Sequence, residues 1–345
     1  MRSAKSCLLL AAAFVLCRSI SPAQSGHPVA VPSKSRVIRL DVVVSGHKDA
    51  PVVGLSGSDF SILDNGIPQK ITSFQPITGE ECPVEVILVM DDVNTRYADL
   101  AYARQQMRKF LKANGGRLPY PTTLVTFSDL HTKSMMLFTR NGSLINQAID
   151  AEGLGPRAIG QSAGVEGGVN RANKSVKLLW RLIDLEAPLP GRKLILWMSP
   201  GWPLLVPLDP EMSASQQYRI FNEYRALSDD MREGRVTLYM IDPEGIADGD
   251  ALEYAEFLKP VRRMREMRHG DLSLQTFVVH SGGLVLGLSN SFSGMMQKVY
   301  DDPRTFYEIT YDAPLDKPDK YHAIEIKVDK PGVKVRTTAG YYSGH

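Results

Sequence analysis

The chain has 345 residues, a formal net charge of +2 and seven scattered histidines. Near neutrality gives no global electrostatic attraction to nucleic acid or an anionic membrane. No His-Glu-x-x-His or paired Cys/His spacing occurs, which excludes the common zinc enzymes, and the length suits two domains or one with large additions.

Residues 1–23 read as a cleavable secretory signal. Arg2 and Lys5 give a basic start, Cys7 to Cys17 a short apolar core, and Ser21-Pro22-Ala23 the small residues of a cleavage site after Ala23. That core is too short to span a bilayer, and no later segment is apolar for long enough. Cleavage removes Arg2, Lys5 and Arg18, leaving 37 basic against 38 acidic residues. It also removes Cys7 and Cys17, so Cys82 has no partner for an intramolecular disulfide. The expected location is secreted or periplasmic, with residues 24–35 as a linker.

Residues 36–80 alternate apolar and polar positions at Val37–Val44, Phe60–Leu63 and Ile71–Phe74. Asp64-Asn65-Gly66 between two such runs predicts a hairpin, because Asn and Gly both accept positive φ.

Residues 81–302 alternate strand-like and helix-like segments. Strands are predicted at Val84–Met90, Thr122–Phe127, Met135–Phe138, Leu194–Met198, Val236–Ile241 and near Leu284-Val285-Leu286. Helices are predicted at Tyr97–Lys112, Ser143–Asp150, Val169–Asp184, Ala214–Arg232, Leu272–His280 and Phe292–Asp301, the first with Tyr102, Met107, Phe110 and Leu111 on its apolar face. The order implies an α/β fold: a Rossmann-like, doubly wound, mainly parallel sheet. Apart from Glu85 near its start, Val84–Met90 is apolar, as a strand buried on both faces should be, and it runs into Asp91-Asp92-Val93-Asn94-Thr95. Ligands of such sheets collect just outside the carboxyl ends of the strands.

Residues 303–345 return to alternation at Phe306–Tyr311, Ala323–Val328 and Val333–Arg336. Neither flanking region has enough strands to bury a core alone. The two are therefore expected to join into one small β-sandwich carrying the α/β domain as an insertion.

Several segments carry a family resemblance: Leu55-Ser56-Gly57-Ser58-Asp59-Phe60 with Asp64-Asn65-Gly66 and Ile71-Thr72-Ser73-Phe74; Asp91 to Thr95; Gly191-Arg192-Lys193 through Ser199-Pro200-Gly201; His280-Ser281-Gly282-Gly283; and Asp302-Pro303-Arg304-Thr305-Phe306-Tyr307. In this order they resemble the von Willebrand factor A-related family of exported Acidobacterial proteins, over the whole mature chain. The resemblance implies a metal-ion-dependent adhesion site built from Asp-x-Ser-x-Ser, a Thr on a second loop and an Asp on a third. Asp91 matches the first position and Thr95 replaces the last serine with another hydroxyl. Val93 stands where the middle serine should be, Ser199-Pro200 replaces the third-loop Asp, and Ser162 is the remaining hydroxyl in the Gly153–Gly168 loop. With a carboxylate and a hydroxyl missing, Mg²⁺ or another divalent cation is expected to bind weakly or not at all, through Asp91 and Thr95 with Asp92 or Ser162. The plainer alternative is that Asp91 and Thr95 cap the following helix.

Other motifs are less specific. Trp197-Met198-Ser199-Pro200-Gly201 lacks the first glycine of a nucleophile elbow, and Pro200 lacks the N–H of an oxyanion hole, so a turn is favoured. Gly153-Leu154-Gly155 with Ala158 reads as a loop and not a dinucleotide fingerprint. Lys259, Arg262, Arg263, Arg265 and Arg268, interleaved with Leu258, Val261 and Met264, read as a solvated helix face, with docking to an acidic partner as the alternative. Asn141-Gly142-Ser143 is a sequon of the kind common by chance. The resulting expectation is an exported, non-enzymatic protein-interaction or adhesion-type module whose partner is an unidentified protein in the cell envelope or outside the cell. Its expected contact surface is Asp91–Tyr97, Gly153–Gly168 and Ser199–Leu205, with Asn94, Arg96, Tyr97, Trp202 and Leu204 as contact residues. The competing expectation is a hydrolase centred on Ser199.

Overall fold

The computed structural model describes residues 37–79, 83–135, 137–152, 164–203, 212–245, 254–287, 291–314 and 316–344. The signal-like segment, the linker, Cys82, Ser162, Leu204 and Leu205 lie outside the described residues.

Period-two alternation builds the first four strands, β1 (Val37–Ser45), β2 (Phe60–Asp64), β3 (Ile67–Gln69) and β4 (Ile71–Thr78). Asn65 and Gly66 close the β2–β3 hairpin with φ of 49° and 80°, the positive pair that matches the twist of its strands. Next come β5 (Val84–Asp91), α1 (Tyr97–Lys112), β6 (Arg117–Phe127), β7 (Thr132–Ser134), β8 (Thr139–Asn141) and α2 (Gly142–Ala151). They are followed by α3 (Gly164–Glu186), β9 (Arg192–Met198), α4 (Ala214–Glu233), β10 (Val236–Ile241), α5 (Leu274–His280), β11 (Val285–Leu286) and α6 (Phe292–Asp301). The chain ends in β12 (Thr305–Asp312), β13 (Tyr321–Val328), β14 (Lys334–Arg336) and β15 (Gly340–Tyr342).

The central sheet has the order β11-β10-β9-β5-β6-β7, with β8 also beside β6. Strands β11 to β6 are parallel, and β7 and β8 run antiparallel to β6. From β5 the chain builds outward to β6 on one side and returns to β9 on the other. The strand order therefore reverses at β5/β9, the position outside which open α/β sheets collect ligands. Alternate residues of β5 serve two cores. Val86, Leu88 and Met90 pack with α1, α2 and α6, while Ile87 and Val89 pack with Trp197 and the apolar faces of α3, α4 and α5.

Two antiparallel sheets flank this unit, β14-β1-β12-β4 and β15-β13-β2-β3. Strand β1 pairs with β12 from Val37↔Asp312 to Val42↔Tyr307, and β2 pairs with β13 from Phe60↔Val328 to Asp64↔Ile324. Leu40, Val42, Phe60, Ile62, Ile309 and Tyr311 form their shared core.

Three local expectations need correction. Of the apolar run Met135–Phe138, the described residues Met135, Leu137 and Phe138 lie in no strand: the polar segments β7 and β8 on either side pair with β6, and Leu137 is exposed. An edge strand needs only one partner and little burial, so hydrophobicity is a poor guide there. Tyr102 lies off the buried stripe of α1, which is Leu100, Ala103, Met107, Phe110 and Leu111. The basic cluster around Pro260 is not a helix face but short 3₁₀ turns at Met264–Glu266 and His269–Leu272. Its buried apolar positions, Val261 and Met267, are spaced so that they could not share one helical face. Asn141 of the sequon caps α2, its side chain accepting the Ser143 N–H at 2.9 Å. No helix among the described residues is long and apolar enough to cross a membrane.

Candidate functional site

Asp91 ends β5 on the same face as Val89, and Val89 is in register with Trp197 of β9. This parity brings the carboxylate beside the Trp197 indole. Asp91 is completely buried. Its Oδ1 accepts the backbone N–H groups of Val93 (3.0 Å) and Asn94 (2.9 Å), and its Oδ2 accepts Asn94 Nδ2 (2.8 Å) and Trp197 Nε1 (2.8 Å). The Ser199 hydroxyl adds a further bond. Asn94 Nδ2 also donates to Ser175 Oγ on α3 at 2.9 Å, so one network ties the β5–α1 turn to β9 and α3. Burial raises the Asp91 pKa above the ordinary carboxylate value, and the bonds from Asn94, Trp197 and Ser199 oppose that shift.

These residues do not fit a divalent cation. Mg²⁺ needs oxygen lone pairs in near-octahedral array. Four of the groups that converge on the Asp91 oxygens are an indole N–H, a side-chain amide N–H and two backbone N–H groups, which offer a cation no lone pair, and the one hydroxyl, Ser199, already accepts the Gly201 N–H at 3.2 Å. Of the other residues the resemblance implied, Thr95 is buried. Asp92 donates its backbone N–H to Phe127 O at 2.8 Å, and its carboxylate acts on Arg104 of α1. The helix-cap alternative also needs correction. The N-cap of α1 is Arg96, with no side-chain cap, and Asp91 instead ties the turn before it.

Ser199 is fully buried. Its N–H donates to Ile241 O at 3.0 Å, and its Oγ accepts the Gly201 N–H at 3.2 Å within a tight turn. Gly201 has φ +117°, and a Cβ there would collide with Gln275, whose Nε2 donates to Pro200 O at 3.1 Å. A serine locked under this turn offers no nucleophile to a substrate.

The five residues expected to touch a partner separate by exposure. Trp202 is buried edge-on against Trp197, with ring centres 5.2 Å apart, and contributes to the core beneath the loop. Asn94 is buried within the Asp91 network. Leu204 lies outside the described residues. Tyr97 is 61% exposed. Arg96 is exposed too, and reaches Asp99 (2.8 Å) and Glu244 after β10 (3.1 Å). Trp197 and Ser175 were missed in the sequence. Counting parity back from Asp91 would have found Trp197 once the β5/β9 register was known.

No protein-family model matches the sequence, and no curated protein matches it. Among solved structures the chain is similar to the manganese-loaded Plasmodium vivax TRAP protein, at 7% identity over 78% of this chain and 98% of that one, with a TM-score of 0.34. It is also similar to the TFIIH p34 N-terminal domain, at 13% identity over 64% of this chain and 98% of that one, with a TM-score of 0.28. The pilus adhesin SpaC from Lactobacillus rhamnosus GG matches at 8% identity over 85% of this chain and 49% of that one, with a TM-score of 0.35. Overlaps this loose carry no statement about activity or partner, which must come from the residues themselves.

Proposed function

We propose that this chain is an exported, non-enzymatic protein-interaction module of the von Willebrand factor A type. In this reading a Rossmann-like, doubly wound domain (residues 81–302) is inserted into a β-sandwich made from residues 36–80 and 303–345. It meets a protein of the envelope or the exterior at its carboxyl edge. Export rests on the signal-like residues 1–23.

One observation carries the reading: the Asp91 carboxylate is filled by the protein's own N–H donors, in a turn that leads straight into an exposed arginine and tyrosine. A rigid, dry network under a cation and an aromatic ring is a preformed contact surface, and Tyr and Arg are the residue types that most often dominate binding energy. The surface requires no cation to form it.

The test uses the mature chain to capture partners from envelope and secreted fractions in the presence of a chelator. The wild type should recover a defined partner, and Arg96→Ala/Tyr97→Ala should lose it with an unchanged melting temperature. Capture that needs added Mg²⁺, or that ignores both substitutions, would overturn the reading.

A further inference from the structure

A second feature of the carboxyl edge lies on the α3 side. The turn after β6 is stiff: Ser128 N–H donates to His131 O at 3.0 Å, and His131 N–H donates back to Ser128 Oγ at 3.2 Å. Opposite it, α3 presents Lys174, Lys177 and Arg181, which recur at helical spacing along one face. Between turn and helix lies a groove of about 480 Å³, within the range that holds a ligand or several side chains.

Lys174 joins the two walls. Its Nζ donates to Asp129 O at 2.8 Å and lies 3.6 Å from Asp129 Oδ1, which balances that carboxylate. Lys177 and Arg181 are exposed and form no ion pair among the described residues. The apolar part of the lining is Phe127, Leu178 and Trp180, with Leu130 standing 61% exposed on the rim. Trp180 also packs against the core formed with α4 and α5. Asp184 lines one end and repels anions there, so the positive stretch runs between Lys177 and Arg181.

We infer that this groove binds an acidic peptide segment of the partner, its carboxylates on Lys177 and Arg181 and an aliphatic or aromatic side chain against Leu130 and Trp180. The inference rests on reading the carboxyl edge as the contact surface and names the chemistry it recognises there. Charge complementarity selects the occupant: two unpaired cations one helical turn apart, over an apolar floor, match alternating acidic and apolar side chains. A nucleic acid backbone needs a longer run of cations than this groove holds. Because the walls are already tied together, binding need not order the groove. Charges on its rim should act on association rate and salt dependence.

The experiment measures anisotropy of a fluorescein-labelled Glu-Leu-Glu-Gly-Glu-Leu peptide with the full mature chain. The peptide should bind, more weakly as salt rises, and roughly tenfold more weakly when every Glu is Gln. Lys177→Glu/Arg181→Glu should lose binding to the same degree while melting like the wild type, and Leu130→Ser should weaken it less. No binding, equal binding of the Gln peptide, or indifference to Lys177→Glu/Arg181→Glu would overturn the assignment. Phosphatidylglycerol vesicles that bind through the same two cations while the peptide does not would also overturn it, in favour of an anionic surface. Partner capture lost in Arg96→Ala/Tyr97→Ala but kept in Lys177→Glu/Arg181→Glu would sink the groove alone and leave the contact-surface reading standing.

Discussion

At the amino edge of the central sheet, cations meet carboxylates; at the carboxyl edge, a carboxylate meets neutral donors. Arg235, just before β10, grips Asp41 of β1 with two bonds (Nε–Oδ2 3.1 Å, Nη2–Oδ1 2.6 Å) and reaches Glu308 of β12 at 2.8 Å. Arg336 of β14 pairs with Asp302 and donates to Gly282 O at 2.8 Å, and Arg192 of β9 lies over the Phe306 ring. These contacts fasten the central sheet to the β strands drawn from both ends of the chain. At the opposite edge no cation among the described residues touches Asp91, whose partners there are an indole, a side-chain amide, backbone N–H groups and a hydroxyl. Charge carries the amino-edge contacts, whereas around Asp91 neutral hydrogen bonds tie the β5–α1 turn to β9 and α3, and the ion pairs of that edge, Arg96–Glu244 and Lys174–Asp129, stand nearer to solvent.

The largest expected effect breaks the amino edge. Arg235→Ala leaves the Asp41 and Glu308 carboxylates half-buried without their main cation, and should destabilise by about 3–5 kcal/mol, as removal of one member of a buried ion pair does. Urea unfolding checks this, and a double-mutant cycle with Asp41→Asn isolates the pair. A loss no larger than that of an exposed pair would show that the two units are held by apolar packing alone.

A second effect lies beneath the C-terminal strand and is read through pH. Burial pushes the Asp229 carboxyl up to about 6, against the Tyr342 N–H that donates to its Oδ1 at 3.1 Å. Burial does the same to Asp271, up to about 6, against the Arg268 N–H at 2.7 Å. The folded chain then keeps protons that the unfolded chain releases. Their contribution is present below about pH 4 and is lost as pH rises through about 6. Asp229→Asn cannot titrate, so its stability relative to wild type should improve across that window by up to about 3 kcal/mol and then level off. A difference that stays flat with pH would mean Asp229 is solvated.

The carboxyl edge should respond less. Trp197→Phe keeps the ring and removes the N–H, leaving Asp91 Oδ2 short of a donor in a dry site, at a cost of about 2 kcal/mol. Calorimetric titration with Mg²⁺, Mn²⁺ and Ca²⁺ on chelator-treated wild type should show no micromolar binding. Micromolar binding abolished by Asp91→Ala would instead place a cation among these donors.

The two edges also differ in how legible they were. β5 could be read because burial on both faces demands a continuous apolar stretch, here Val86–Met90, and its end was marked where that stretch meets Asp91. The bounds of α6 and the Asn65-Gly66 turn were legible for equally local reasons. The partner of Asp91 was not, because Trp197 lies far along the chain and reaches the carboxylate only through the β5/β9 register, which local patterns do not encode. Trp202 looked like a surface anchor because it lies in a loop, and only the Trp197 ring beside it shows that it packs inward. The α3 cations carry no local signal either, because Lys174, Lys177 and Arg181 line a groove only through the turn after β6, some 45 residues earlier in the chain.

The smallest effect separates the buried layer of the carboxyl edge from the exposed layer above it. Arg96 stands in solvent, and its pairs with Asp99 and Glu244 are screened by water and salt. Tyr97 buries little. Arg96→Ala/Tyr97→Ala should therefore leave the urea midpoint unchanged within error, in contrast to Trp197→Phe in the buried network. If the two layers are distinct, Trp197→Phe lowers stability and, while folded, still captures the partner, whereas Arg96→Ala/Tyr97→Ala keeps stability and loses capture. A midpoint that drops in Arg96→Ala/Tyr97→Ala would mean that the exposed pair helps hold the β5–α1 turn, and the division between a structural layer and a contact layer would fail.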